Sequence, residues 1–234
     1  MKILLKNGFV VTDKVEKLNI LVDGSTVADI SATEHPADKV IDCEGKYIVP
    51  GLIDMHVHLR EPGLEYKEDL ESGATGAIHG GVTTICCMAN TSPVIDSGTT
   101  VSWVRRRSAE IGLADILPFA CVTKGMKGEE LTEMGDLLAN GACGLSDDGS
   151  PVKNAEVMRR ALEYAKYFDA FISVHEGDHH LVNGGSIHEG AVSAEYGFKG
   201  IPAASESVMV ARDIELARLT GGRVHLCHLS SRES

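Results

Sequence analysis

From residue 51 onward the chain repeats one unit: a short apolar, β-rich run, a polar loop, a helical stretch and a glycine stop. Apolar runs at 52–59, 82–88, 116–123, 142–145, 171–175 and 224–229 read as strands. Helical patterns fill 65–79, 99–111, 129–139, 154–168 and 205–220, and Gly80-Gly81, Gly112, Asn140-Gly141 and Gly221-Gly222 stop four of them. Six strands alternating with five helices imply parallel pairing through right-handed crossovers. Two layouts satisfy that pattern, an open doubly wound sheet and a (β/α)8 TIM-like barrel. No G-x-G-x-x-G follows any strand, whereas polar residues stand at the end of nearly every one. The barrel is favoured, because it gathers all its strand C-termini into one site. Six strands leave it two short, so an incomplete barrel with two exposed edges is expected, its remainder lying beyond Ser234.

The first fifty residues have a different texture, without helical periodicity. Ile3-Leu4-Leu5 and Phe9-Val10-Val11 read as two short strands about Lys6-Asn7-Gly8. The runs 18–22 and 27–30 form a hairpin through Asp23-Gly24, and 39–43 with 47–49 a second one through Glu44-Gly45-Lys46. The domains expected are a small β domain over 1–50 and the N-terminal part of a barrel over 51–234.

The first barrel strand carries the most specific chemistry. In Asp54-Met55-His56-Val57-His58-Leu59-Arg60 the two histidines are two residues apart, so on a strand they share a face. Ile53, Met55, Val57 and Leu59 make the strand read as buried on both faces, and paired buried histidines point to a shared metal ion. Further candidates follow at the later strand ends: Asn90, Asp147-Asp148, His175-Glu176, and His225 or His228. Neutral imidazoles and a carboxylate at one barrel mouth suit zinc or a similar divalent ion. His225 and His228 are three apart and face opposite sides of a strand; His228 is nearer the C-terminal end, where the chemistry of a barrel sits. His79 ends a helix and complements its dipole. His179, His180 and His188 fall in a glycine-rich loop, 177–202, as solvated or lid residues.

Net charge is −12, from 22 basic and 34 acidic residues, which argues against nucleic acid and anionic membranes as partners. No signal peptide is read at the N-terminus, and no stretch approaches the ~20 apolar residues of a membrane span. None of the six cysteines forms a C-x-x-C pair, and in their apolar runs they read as small buried hydrophobes of a cytoplasmic protein.

Taken together, the motifs resemble those of class I dihydroorotases, of the amidohydrolase superfamily. The matching stretches are 54–63 (Asp54-Met55-His56-Val57-His58-Leu59-Arg60-Glu61-Pro62-Gly63), Gly80-Gly81-Val82-Thr83-Thr84, Met88-Ala89-Asn90-Thr91-Ser92-Pro93, Leu145-Ser146-Asp147-Asp148-Gly149, Val174-His175-Glu176 and His225-Leu226-Cys227-His228-Leu229-Ser230. The resemblance implies a fold, a small β-sandwich domain completed by C-terminal strands beside a catalytic barrel. It implies that His56 and His58 hold one zinc, that His175 and His228 hold a second, and that Asp148 bridges them where related hydantoinases carry a carboxylated lysine. Arg60 and Asn90 would bind the substrate carboxylate, a task that suits a guanidinium fork. The implied reaction is the reversible cyclisation of N-carbamoyl-L-aspartate to L-dihydroorotate in pyrimidine synthesis, in a homodimer that could also associate with aspartate carbamoyltransferase. The family's general acid/base aspartate at the end of barrel strand 8, with its Asp-x-Ala-Pro-His signature, is not in this sequence, so the stretch alone is expected to be inactive. The competing readings are another cyclic amidohydrolase, such as a hydantoinase or allantoinase, and a non-catalytic structural partner of aspartate carbamoyltransferase.

Overall fold

The computed structural model describes residues 1–234, which divide into two compact units, Met1–Gly51 and Leu52–Ser234. The first unit is a five-stranded sheet of β1 (Lys2–Val11), β2 (Val15–Asp23), β3 (Thr26–Ser31), β4 (Lys39–Asp42) and β5 (Tyr47–Ile48), which fits one layer of a small β-sandwich. Two expectations change here. The segments on either side of Lys6-Asn7-Gly8 are one strand, its register with β2 shifting between Leu5 and Gly8. Asn7 takes a positive φ of 64° there, and its backbone N–H donates to Asn19 Oδ1 at 2.9 Å, so a side chain satisfies the amide that the bulge frees. The expected second hairpin is absent: β4 and β5 both run parallel to β1, and Glu44-Gly45 is a loop-out in a strand path that keeps its direction.

The second unit carries six parallel strands: β6 (Leu52–Val57), β7 (Val82–Cys87), β8 (Asp115–Ala120), β9 (Gly144–Leu145), β10 (Phe171–Val174) and, after the elements of the 177–202 segment, β13 (Arg223–Leu226). Their order in the sheet is their order in the chain, β6 at one edge and β13 at the other. A doubly wound sheet would reverse direction at a switch point. Sequential order without reversal is the wall of a barrel, here curled and open. The crossovers are α1 (Leu70–His79), α2 (Gly98–Ile111), α3 (Met134–Ala139), α4 (Ala155–Tyr167) and, before β13, α7 (Ala204–Thr220). In α4 the buried residues Met158, Ala161, Leu162 and Ala165 follow the i, i+3, i+4, i+7 spacing of a helix stripe, and they join Ile116, Leu145 and Ile172 from the strands in the main core.

Two helices start later than their periodicity suggests. Asp69 caps α1, accepting from the Ser72 backbone N–H at 2.7 Å, while Glu61 Oε2 accepts from the Leu70 N–H at 2.8 Å. Residues 129–132 are held extended against the end of β8, because Lys124 N–H donates to the Glu130 carbonyl and Thr132 N–H to the Val122 carbonyl; the helix begins only at Met134. The segment 177–202 is not all loop. It forms α5 (His179–Val182), β11 (Ile187–His188), α6 (Ala191–Tyr196) and β12 (Gly200–Ile201), with β11 and β12 paired in parallel. Strand β6 is also not buried on both faces: Leu52, Ile53 and Met55 are exposed, because β7 is the only strand that pairs with it in the six-stranded sheet. All six cysteines are free, and five are buried.

Candidate metal centre at the strand ends

The site is assembled around one carboxylate. Asp148 follows the short strand β9 and is only 5% exposed. Four imidazoles face it. His56 Nε2, His175 Nδ1 and His228 Nε2 lie 3.5, 3.5 and 3.2 Å from Oδ1, and His58 Nε2 lies 3.5 Å from Oδ2. His56, within β6, and His58, just past its end, reach the same point, as the period of a strand requires. His175 follows β10 directly. Strand β13 ends at Leu226, earlier than the sequence pattern implies, and His228 takes a positive φ of 35° that turns its ring toward His175, the two centroids 4.7 Å apart. His225, still inside β13, has its ring 6.3 Å from that of Phe171 instead.

These distances suit a metal pair. Two sets of donor atoms each lie within 4.8 Å of one another, His56 with His58 and Asp148, and Asp148 with His175 and His228. Nitrogen donors about 2.0–2.1 Å from a tetrahedral ion stand about 3.3 Å apart, close to the separations seen between each imidazole and Asp148. His175 Nδ1 is buried and aimed at Asp148 yet has no hydrogen-bond partner, the kind of orphaned atom an ion would satisfy. Electrostatics agree with the donor set. Burial, reinforced by His58 and His228, lowers the His56 pKa against the pull of Asp148, which keeps its ring neutral and its lone pair available. Burial works to raise Asp148, but the imidazoles of His175, His228 and His56 around its Oδ1 outweigh it and hold the carboxyl well below its usual range.

The expected substrate contacts lie beside this cluster. Arg60 is half-buried, at a positive φ of 63°, and its guanidinium reaches Asn90 Oδ1 at 3.5 Å. Next to His175 and His228 opens a cleft of about 290 Å³, bordered by Glu176, His188 and Glu206. The sequence offers Asp147 beside Asp148 as a candidate, but signals neither its anchoring role nor the residue that holds the turn after His228. Asp147 turns the other way from its neighbour: it accepts from Val122 N–H at 2.8 Å and Thr123 N–H at 3.2 Å, and from the Thr123 hydroxyl. Glu206 accepts from Ser230 N–H at 2.9 Å, Ser230 Oγ at 2.8 Å and Ser231 N–H at 2.8 Å, just past His228. Both contacts span more than twenty residues and carry no local pattern. His79 is an exposed residue at the end of α1, and His179, His180 and His188 take no part in the imidazole cluster.

A half-barrel whose imidazoles and carboxylate converge at the C-terminal strand ends defines a class, the TIM-like barrels that gather their site at that end. Comparison with known proteins narrows it. Residues 45–234 match the family model described as dihydro-orotase-like. A dihydroorotase from Solibacter usitatus is 46% identical over 239 aligned residues, covering 100% of this chain and 55% of its own length. A dihydroorotase from Pelotomaculum thermopropionicum is 47% identical, covering 100% of this chain and 56% of its own length. Among solved structures, the L-hydantoinase (dihydropyrimidinase) of Arthrobacter aurescens superposes with a TM-score of 0.80 at 22% identity over 97% of this chain and 53% of its own, a likeness of fold. The chain belongs to the dihydro-orotase-like family, and it spans about 55% of the length of the curated relatives it matches. No helix is long and apolar enough to cross a membrane.

Proposed function

We propose that this chain carries the metal-holding half of a dihydroorotase, which interconverts N-carbamoyl-L-aspartate and L-dihydroorotate in the cytoplasm. The observation that supports this best is the ring of four imidazoles about Asp148 with an arginine at its rim. His56 and His58 would hold one ion and His175 and His228 a second, with Asp148 shared between the two sets. A divalent ion held there, zinc by the nitrogen-and-carboxylate donor set, would supply Lewis acidity toward the ring amide carbonyl of the substrate.

The remaining work falls to side chains. Arg60 takes the substrate carboxylate through its planar fork, with Asn90 beside it. That ion pair fixes one end of a small ring, so the amide carbonyl is presented to the centre in one orientation and little entropy is lost at the reacting bond. Asp148 stays ionised at neutral pH and balances positive charge gathered between the histidines. Asp147 anchors the turn that carries it, against the backbone at the end of β8.

The test is hydrolysis of L-dihydroorotate by the full-length gene product loaded with zinc, followed by ultraviolet absorbance beside hydantoins and allantoin. Turnover is expected on dihydroorotate above the other ring amides. Turnover confined to hydantoins or allantoin would overturn the substrate assignment, and a zinc-loaded protein inactive on all of them would overturn the enzyme reading.

A further inference from the structure

The side-chain amide of Asn90, the residue expected to read the substrate, is already committed to the metal-holding groups. It lies just past β7, between His58 and Asp148. Its Oδ1 is 3.0 Å from His58 Nδ1 and also faces the Arg60 guanidinium at 3.5 Å. Its Nδ2 is 3.3 Å from the Asp148 backbone carbonyl and 3.4 Å from the Asp148 carboxylate Oδ2. Chemistry fixes which end is which. A reversed amide would set its NH2 against the arginine donors and its oxygen against two oxygens of Asp148. With Oδ1 toward the ring, His58 must donate from Nδ1. Its Nε2 then keeps the lone pair, and Nε2 is the atom facing Asp148 Oδ2 at 3.5 Å.

We infer that Asn90 is a positioning residue of the metal centre, which locks His58 in its Nδ1–H tautomer and ties that histidine to both the backbone and the carboxylate of Asp148. This rests on the metal-centre reading above and gives Asn90 a role that exists before any substrate arrives. The amide joins a ligand of one expected ion to the carboxylate shared by both, across 58 residues of sequence. Partners that orient a ligating imidazole commonly change metal affinity by about 10–100-fold when removed. Asn90 also has little freedom to serve a substrate alone, since turning Nδ2 toward a bound carboxylate would release Asp148.

The test uses the full-length protein and its Asn90→Leu and Asn90→Asp variants. Zinc affinity is measured by competition with a chromophoric chelator. The His58 tautomer is read from imidazole nitrogen shifts in the zinc-free protein, with His58→Ala identifying the signal, and kcat and KM are taken on dihydroorotate. Asn90→Leu is expected to bind zinc about 10–100-fold more weakly and to lose the Nδ1–H signature, while its circular dichroism stays that of the parent. Asn90→Asp, which keeps an acceptor toward His58, is expected to restore the signature. Zinc affinity within about twofold of the parent, with KM alone raised, would reduce Asn90 to a substrate contact and overturn the inference. A parent protein that takes up no zinc would refute the metal centre itself. The tautomer would still decide the role of Asn90: an Nδ1–H signature lost in Asn90→Leu supports it, and an Nε2–H ring in the parent overturns it.

Discussion

Glu206 offers a test of how the turn beyond His228 is held. It sits in the first turn of α7, and its carboxylate gathers Ser230 N–H, Ser230 Oγ and Ser231 N–H. Burial opposes its charge, but these donors outweigh burial and pull its pKa from 4.5 down to about 2. That difference corresponds to an upper bound of about 3.4 kcal/mol, at about 1.36 kcal/mol per pKa unit. The carboxylate is largely solvated, so screening reduces the figure to about 1–2 kcal/mol. The sign follows from the depressed value. Ionised Glu206 stabilises the fold fully above pH 4.5, and the contribution drains away as pH falls toward 2. By pH 3 less than roughly half should remain. Glu206→Gln keeps the shape but cannot titrate, and its amide brings donors toward donors. Urea unfolding of the two proteins at pH 7 should differ by about 1–2 kcal/mol, and the gap should shrink by more than half at pH 3. A gap of the same size at both pH values, or none at pH 7, would refute the carboxylate latch.

Two other substitutions probe the site from different sides. Gly63 has a φ of +91°, and a Cβ there would lie 1.7 Å from the carbonyl oxygen of Ser92, in the loop that carries Asn90. Gly63→Ala should therefore cost about 2–4 kcal/mol from overpacking and left-handed strain, read as a lowered urea midpoint; a change under about 0.5 kcal/mol would show that the two loops are not locked together. Asp148→Asn removes the one charge that all four imidazoles face and should weaken zinc binding by about 100-fold or more, with a near-parental melting curve; undiminished zinc uptake on dialysis would exclude Asp148 as the shared ligand.

The barrel wall was legible because its signals are local. Each crossover helix ends on a glycine or at a loop break, and each strand is an apolar run, so the alternation can be read residue by residue. The gathering of strand-end residues was legible for the same reason, since parallel strands in sequential order must bring their C-terminal ends to one face. Departures arise where specific caps, backbone hydrogen bonds and strand pairing override the local pattern. Residues 65–69 carry helix-compatible side chains, yet Asp69 caps the helix and Glu61 holds its first amide. Residues 129–132 have helical composition but donate to and accept from the backbone past β8. The apolar residues of β6 suggested two covered faces, and only pairing information could show that β6 stands at the edge of its sheet. The segment 177–202 was hidden because its strands are two residues long, too short for any period to register.

The adjacent aspartates show how one residue type comes to serve two purposes. Asp147 and Asp148 are equally buried, at 5% exposure. Neighbours in an extended turn point opposite ways, so one carboxylate enters the end of β8 while the other enters the imidazole cluster. At Asp147 burial dominates the hydrogen bonds from Thr123 and Val122 and pushes the pKa up to about 6. At Asp148 the same kind of burial is overcome, because its neighbours can carry positive charge as well as donate hydrogen bonds. The distinction between anchor and ligand therefore comes from what surrounds each side chain, not from its identity or exposure. A backbone that turned this dipeptide by one residue would place the anchored carboxylate among the histidines and leave the end of β8 with its amides unpaired. The four hydrogen-bonding groups that converge from Val122, Thr123 and Ser146 on this turn prevent that slip. They make the register of the turn, rather than the presence of an acidic pair, the feature that puts one carboxylate at the meeting point of His56, His58, His175 and His228.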